Sequence, residues 1–123
     1  MKIEIPAAIA AERQRQIAAE GWTPEHDDAH DNGELLAAAR MYFQISTGGT
    51  LVFRQMTVRR KTVPLGWPWD PSWWKPKTPA RNLERAGALC MAEIDRLARR
   101  QRPTSAVEET LGQIVAAYNG LSA

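Results

Sequence analysis

The residues best suited to chemistry lie in two stretches. Residues 64–79 read PLGWPWDPSWWKPKTP and hold Trp67, Trp69, Trp73 and Trp74, four of the chain's five tryptophans, with five of its eight prolines. Indoles are costly to leave in water and carry an N–H to satisfy, so they pack on the protein body, meet a partner or stack on a flat ligand. Directly after this stretch come Asn82, Arg85, Arg96 and Arg99. Guanidinium groups pair bidentately with phosphate and stack on rings. Aromatic planes beside arginines suit a nucleotide-like ligand. Arg54 and Arg59, in the basic run 54–61, either form a solvated strand edge or face a phosphate.

The second stretch, EHDDAHDNGE over residues 25–34, carries five acids and no Lys or Arg. His26, Asp27, Asp28, His30 and Asp31, with Glu34 to complete them, suit a divalent metal or acid–base work. Turn and cap chemistry accounts for the same residues, since Asp and Asn are common before helices. Glu93 and Asp95 are the carboxylates available to complete a metal site, but two residues two apart do not share a helix face.

These side chains need elements to hold them. Pro64, Pro68, Pro71, Pro76 and Pro79 fix φ and remove donors, so 64–79 is a rigid irregular segment. A helix is expected over 6–20, with Ile9 and Ile17 on its apolar face and Gly21 ending it. The spacing of Asp31 and Glu34 predicts a capping box and a helix over 32–46, its face marked by Leu35, Leu36, Ala39, Tyr42 and Phe43. Residues 50–63 read as a short hairpin. A third helix spans 79–101, capped by Thr78 and opened by Pro79, with Leu83, Ala86, Cys90, Ile94 and Leu97 on its buried stripe. Arg85, Arg96 and Arg99 fall together opposite that stripe and predict a basic front. Ser105 and Glu108 open a fourth helix, which Gly120 stops. The expected architecture is mainly α with a small β hairpin (α+β), a compact four-helix single domain over residues 1–123.

Composition narrows the function classes. A net charge of +2 argues against a bulk DNA binder, while a local basic patch still suits a small anion. No run of eighteen apolar residues predicts a membrane span, and no basic segment precedes an apolar core at the N-terminus, so a cytoplasmic protein is expected. The one cysteine, Cys90, excludes an internal disulfide and reads as a buried small hydrophobe.

The segments EGWTPEHDDAHDNGEL (20–35), WPWDPSWWKP (67–76) and RNLERAGALCMAEIDRLARR (81–100) together resemble a family of small phage and prophage proteins, placed here among the anti-Thoeris (Thoeris anti-defence) signal-sequestering sponges. The resemblance implies a non-enzymatic role without a cofactor. It implies binding of a cyclic ADP-ribose isomer, and in some members cyclic oligonucleotides, held uncleaved between subunits of a homo-oligomer. It implies a pocket made of an aromatic ring, an asparagine and arginines, for which Trp73 or Trp74, Asn82 and Arg99 fit by order; Arg54, Arg59 or Arg85 supplies the second arginine. Two alternatives stand beside it. One is a metal-dependent nucleotide pyrophosphohydrolase built on the His26–Glu34 cluster. The other is an inhibitor that binds a host protein through the Trp/Pro loop.

Overall fold

The computed structural model describes residues 3–48, 53–56 and 61–121. Five α-helices and one strand pair follow in order: α1 (Ala7–Glu20), α2 (Pro24–Asp28), α3 (Glu34–Ser46), β1 (Phe53–Met56), β2 (Lys61–Pro64), α4 (Pro79–Arg99) and α5 (Ser105–Gly120). The expected α+β class is found, with one more helix than the sequence predicted. Thr23 and Pro24 open α2: Thr23 Oγ1 accepts from the His26 N–H at 3.3 Å and Pro24 occupies the first helical position.

Helix α4 is the central element, packed by α1, α3 and α5. Leu83, Ala86, Leu89 and Cys90 of α4 form one core with Leu35, Ala38 and Ala39 of α3 and Leu111 and Ile114 of α5. Burial drives the Cys90 thiol up to about 12, as expected of a small hydrophobe in the core. Gly87 lets α1 approach closely: a Cβ there would meet the Ile9 side chain at 2.8 Å.

Helix α1 departs from expectation. Its buried face is Ile9, Glu12, Arg13 and Gln16, whereas Ile17 is only half-buried. These four follow the i, i+3, i+4, i+7 pattern of a packed face, but three of them are polar. Glu12 accepts from Arg15 at 2.7 Å and from Arg81 at 2.5 Å, which carries α1 onto the start of α4. Asp27 of α2 is fully buried and pairs with Arg13 at 3.1 Å.

The expected capping box at the start of α3 does not form. Gly33 holds the N-cap position with φ 80°, and Glu34 reaches back to the Asn32 N–H at 2.6 Å. The left-handed φ favours glycine there, so Asp31 is displaced from the cap. At α5 the N-cap is Thr104, one residue before the expected Ser105; it makes no side-chain bond to the helix backbone, and its hydroxyl donates to the Glu108 carboxylate at 2.9 Å. That helix continues through Gly120.

Strands β1 and β2 pair antiparallel, with Arg54 opposite Val63. A turn closed by the Trp67 N–H donating to Pro64 O at 3.0 Å leads out of β2, and Gly66 supplies the positive φ of 86° that its third position requires. The Trp/Pro segment is then pinned at several points. Asp70 caps a 3-10 turn over Pro71–Trp73 through the Ser72 N–H at 2.8 Å. The Tyr42 hydroxyl donates to Trp73 O at 3.4 Å and accepts from the Lys75 N–H at 3.1 Å. The Asn82 amide bonds both backbone groups of Lys77, at 2.7 and 3.2 Å.

Candidate functional site

The end of α1, the helix α2 and the Trp/Pro segment meet at a cleft of about 240 Å³, lined by Trp22, His26, His30, Trp69, Asp70 and Trp73. Gly21, with φ 71°, ends α1 in a left-handed cap and turns the chain so that Trp22 faces this cleft. Trp22 stacks on His26 with centroids 5.8 Å apart and planes 4° from parallel. Trp69 and Trp73 lie tilted against Trp22 at 5.7 and 6.0 Å. Trp73 is 40 % exposed, and the Lys75 ammonium sits 5.2 Å above its ring.

The same three indoles wall a smaller chamber of about 20 Å³ on the α1–α4 side. Gln16, Tyr42, Trp67, Lys75 and Arg85 complete much of its lining. Arg85 donates to Lys75 O, and its guanidinium lies 6.0 Å from the Tyr42 ring centroid. Burial raises the Tyr42 hydroxyl above its usual value despite the hydrogen bond from the Lys75 N–H.

On the other wall of the cleft stands an imidazole pair. His26 Nδ1 lies 3.2 Å from Asp27 Oδ1 and His30 Nδ1 lies 3.0 Å from Glu34 Oε2. Each carboxylate orients its ring through Nδ1, and the two Nε2 atoms face each other at 3.4 Å, a contact in which one Nε2–H donates to the other. Burial pulls the Glu34 carboxyl up, but the bonds from His30 and the Asn32 amide leave it below the ordinary carboxylate value. Among the described residues, no three His, Cys, Asp or Glu side chains converge as a metal site. Glu93 is buried in a pair with Arg96 and Asp95 points outward, so neither completes the histidine cluster.

The sequence-predicted residues separate into those at the cleft and those elsewhere. Trp73 lines both the cleft and the chamber behind it, and Arg85 lines the chamber alone. Trp74 is 3 % exposed and belongs to the core, in contact with Tyr42 at 4.8 Å and Trp67 at 5.0 Å. Asn82, also 3 % exposed, spends its amide on Lys77. The expected basic front does not exist as a surface. Arg96 is 3 % exposed and makes two hydrogen bonds to Glu93, at 2.6 and 3.1 Å. Arg99 turns toward α2 and pairs with Asp28 at 2.9 Å. The reason is that α4 is covered on several sides, so its arginines meet acids of their own chain. The backbone of Arg54 lies in β1, while its side chain and all of Arg59 fall outside the described residues.

Trp22 and Gln16 are not among the sequence candidates, and Trp69 is one only as a member of the tryptophan run. Trp69 lay within the tryptophan run without being separable from its neighbours. Trp22 had a usable signal, an indole directly after a helix-ending glycine and beside the histidine cluster. Gln16 had only its seven-residue spacing from Ile9. Compared with protein-family models, curated proteins and solved structures, the chain matches none.

Proposed function

We propose that this protein binds a cyclic nucleotide immune signal in the indole cleft and holds it without cleaving it, as a phage anti-defence protein would. The observation that carries this reading is the convergence of Trp22, Trp69 and Trp73 on one cleft, with Lys75 and Arg85 beside them. Stacking on aromatic side chains contributes about 1–3 kcal/mol per base, and a lysine and an arginine supply donors for a phosphate or ribose. At about 240 Å³ the cleft is smaller than the roughly 300–1,000 Å³ of sites for drug-sized ligands. It suits one base, and a homo-oligomer would place a second copy over the rest of the ligand.

The test is calorimetric titration of the purified protein with a TIR-derived cyclic ADP-ribose isomer and with a guanine-containing cyclic dinucleotide. The complex is then heated and the released molecule identified. Tight binding with intact release is expected, and Trp73→Ala should weaken it at least tenfold. Absence of binding to both ligands would remove the sequestration reading.

A second reading rests on the imidazole pair. Two histidines oriented by carboxylates at a cleft wall have the arrangement of a general acid–base couple. On that reading the released molecule would be a cleaved product, and His30→Gln would abolish its formation while the ligand still bound.

A further inference from the structure

The chamber behind the indoles has a polarity of its own. Among the described residues, four buried side-chain polar atoms have no hydrogen-bond partner within the chain: Gln16 Oε1, Trp69 Nε1, Arg85 Nε and Ser46 Oγ. The first three belong to residues that line this one chamber. Native proteins satisfy most buried polar groups, so three such atoms around one small space mark a site built for a polar guest.

Their roles are fixed by their surroundings. Gln16 is 1 % exposed, and its Nε2 lies 3.3 Å from Glu12 Oε2. A carboxylate held by Arg15 and Arg81 can only accept, so the amide nitrogen must face Glu12 and Oε1 is left as an acceptor. Burial pushes Glu12 up, but those arginines hold it below its ordinary value and so keep it ionised. Arg85 is held by its bond to Lys75 O, and Trp69 stands edge-on to Trp67 at 5.5 Å and 85°. Beside the charged groups of Glu12, Arg15, Glu20 and Lys75 that also line it, the chamber therefore has two N–H donors and one acceptor without a partner, all on oriented side chains. Its volume of about 20 Å³ admits roughly one water-sized group and no ring.

We infer that the chamber reads a carbonyl–N–H edge, the lactam or carboxamide of a flat ring stacked in the outer cleft; this rests on the cleft reading above. A carbonyl oxygen has two lone pairs and satisfies both Trp69 Nε1–H and Arg85 Nε–H. That oxygen is the one water-sized group the chamber admits, and the adjoining N–H, at the chamber's mouth, donates to Gln16 Oε1. Guanine, hypoxanthine, uracil and nicotinamide carry such an edge. Adenine offers a ring nitrogen that accepts one hydrogen bond and leaves one of the two donors unpaired. Among cyclic nucleotides the chamber selects lactam bases over adenine by about tenfold or more.

The experiment compares inosine, N1-methylinosine and adenosine by calorimetric titration against wild type, Gln16→Met and Trp69→Phe. Inosine should bind wild type about tenfold more tightly than either of the others. Gln16→Met keeps the side-chain volume and removes the acceptor, so inosine should fall to the level of N1-methylinosine, whose own affinity stays put. Trp69→Phe keeps a ring and removes one donor, and should lower affinity for inosine more than for adenosine. Thermal melting of each variant establishes that it is folded, and either variant suffices. Equal affinity of wild type for all three nucleosides overturns the edge reading and leaves the cleft intact, as does an inosine preference that survives both variants. Binding of a cyclic nucleotide with no measurable nucleoside binding also overturns it. Failure of every nucleoside and every cyclic nucleotide to bind overturns the cleft reading as well.

Discussion

The two flanks of α4 are built differently. Toward α3 and α5 it packs Leu83, Leu89 and Cys90 against Leu35, Leu111 and Ile114, an interface of hydrocarbon. Toward α1 and α2 it meets Glu12, Arg13, Gln16 and Asp27, all buried and nearly all ionised or hydrogen-bonded. Apolar packing stabilises without direction, whereas a buried polar group costs free energy unless a partner stands at the right distance and angle. The indole cleft lies on the polar flank. The apolar interface lies on one side of the central helix, and the buried ion pairs and the cleft lie on the other.

Substitutions can break this contrast. The largest effect is expected from Asp27→Ala, which leaves the buried Arg13 without its 3.1 Å partner and frees His26 from its orienting carboxylate. Breaking a buried pair costs about 3–5 kcal/mol, so chemical denaturation should show a large loss, together with weaker ligand binding. Leu111→Ala on the opposite flank should cost about 2–5 kcal/mol as a cavity in the core, yet leave ligand affinity unchanged below the melting temperature. If Leu111→Ala weakened binding as much as Asp27→Ala, the two flanks would not be separable.

Gly87→Ala sharpens the comparison at the seam. Overpacking against Ile9 should cost about 1–3 kcal/mol, less the roughly 1 kcal/mol that alanine gains over glycine in a helix. A net rise in melting temperature would show that α1 can move away from α4 at little cost.

Acid should act through the polar flank. The Glu12 and Glu34 carboxyls are both pulled up by burial, but hydrogen bonds from their partners leave them below 4.5. A carboxyl lowered by folding contributes its stability fully above the unfolded value and loses it as pH falls through the folded one. Unfolding free energy should therefore decline below about pH 4.5, and Glu12→Gln should flatten that decline. The smallest effect is expected from Arg99→Ala. Its pair with Asp28 lies at the surface, where such bridges are worth about 0–1 kcal/mol, and calorimetry should find ligand affinity unaltered.

Much of the helical frame was legible because α3, α4 and α5 carry apolar residues at helical spacing, as Leu83, Ala86 and Cys90 do. Helix α1 was harder. Ile17 fitted an apolar face by spacing, but the buried residues are Glu12, Arg13 and Gln16, and only their partners on α2 and α4 explain why. The same limit governed the site. Trp73 and Arg85 were readable from type and neighbourhood, since an indole run beside an arginine-bearing helix is a local pattern. Arg96 and Arg99 looked identical to Arg85 in sequence, and what separates them is the position of Glu93 and Asp28. Trp22 lies 47 residues before Trp69 in the chain, and only the closure of α1 and α2 on α4 brings the two rings within 5.7 Å.

All five indoles belong to one array. Trp22 reaches Trp69 and Trp73, Trp69 reaches Trp67, and Trp67 reaches Trp74, with every centroid step at 6.0 Å or less. Chromophores so close couple their excited states, so the protein carries an optical antenna that runs from its solvent-facing edge at Trp73 to its interior at Trp74. Any flat molecule entering the cleft perturbs the outer rings first, and the signal spreads to the others. Unlabelled protein can therefore report occupancy of its own site through near-ultraviolet circular dichroism and intrinsic fluorescence, with no tryptophan elsewhere in the chain to dilute the change.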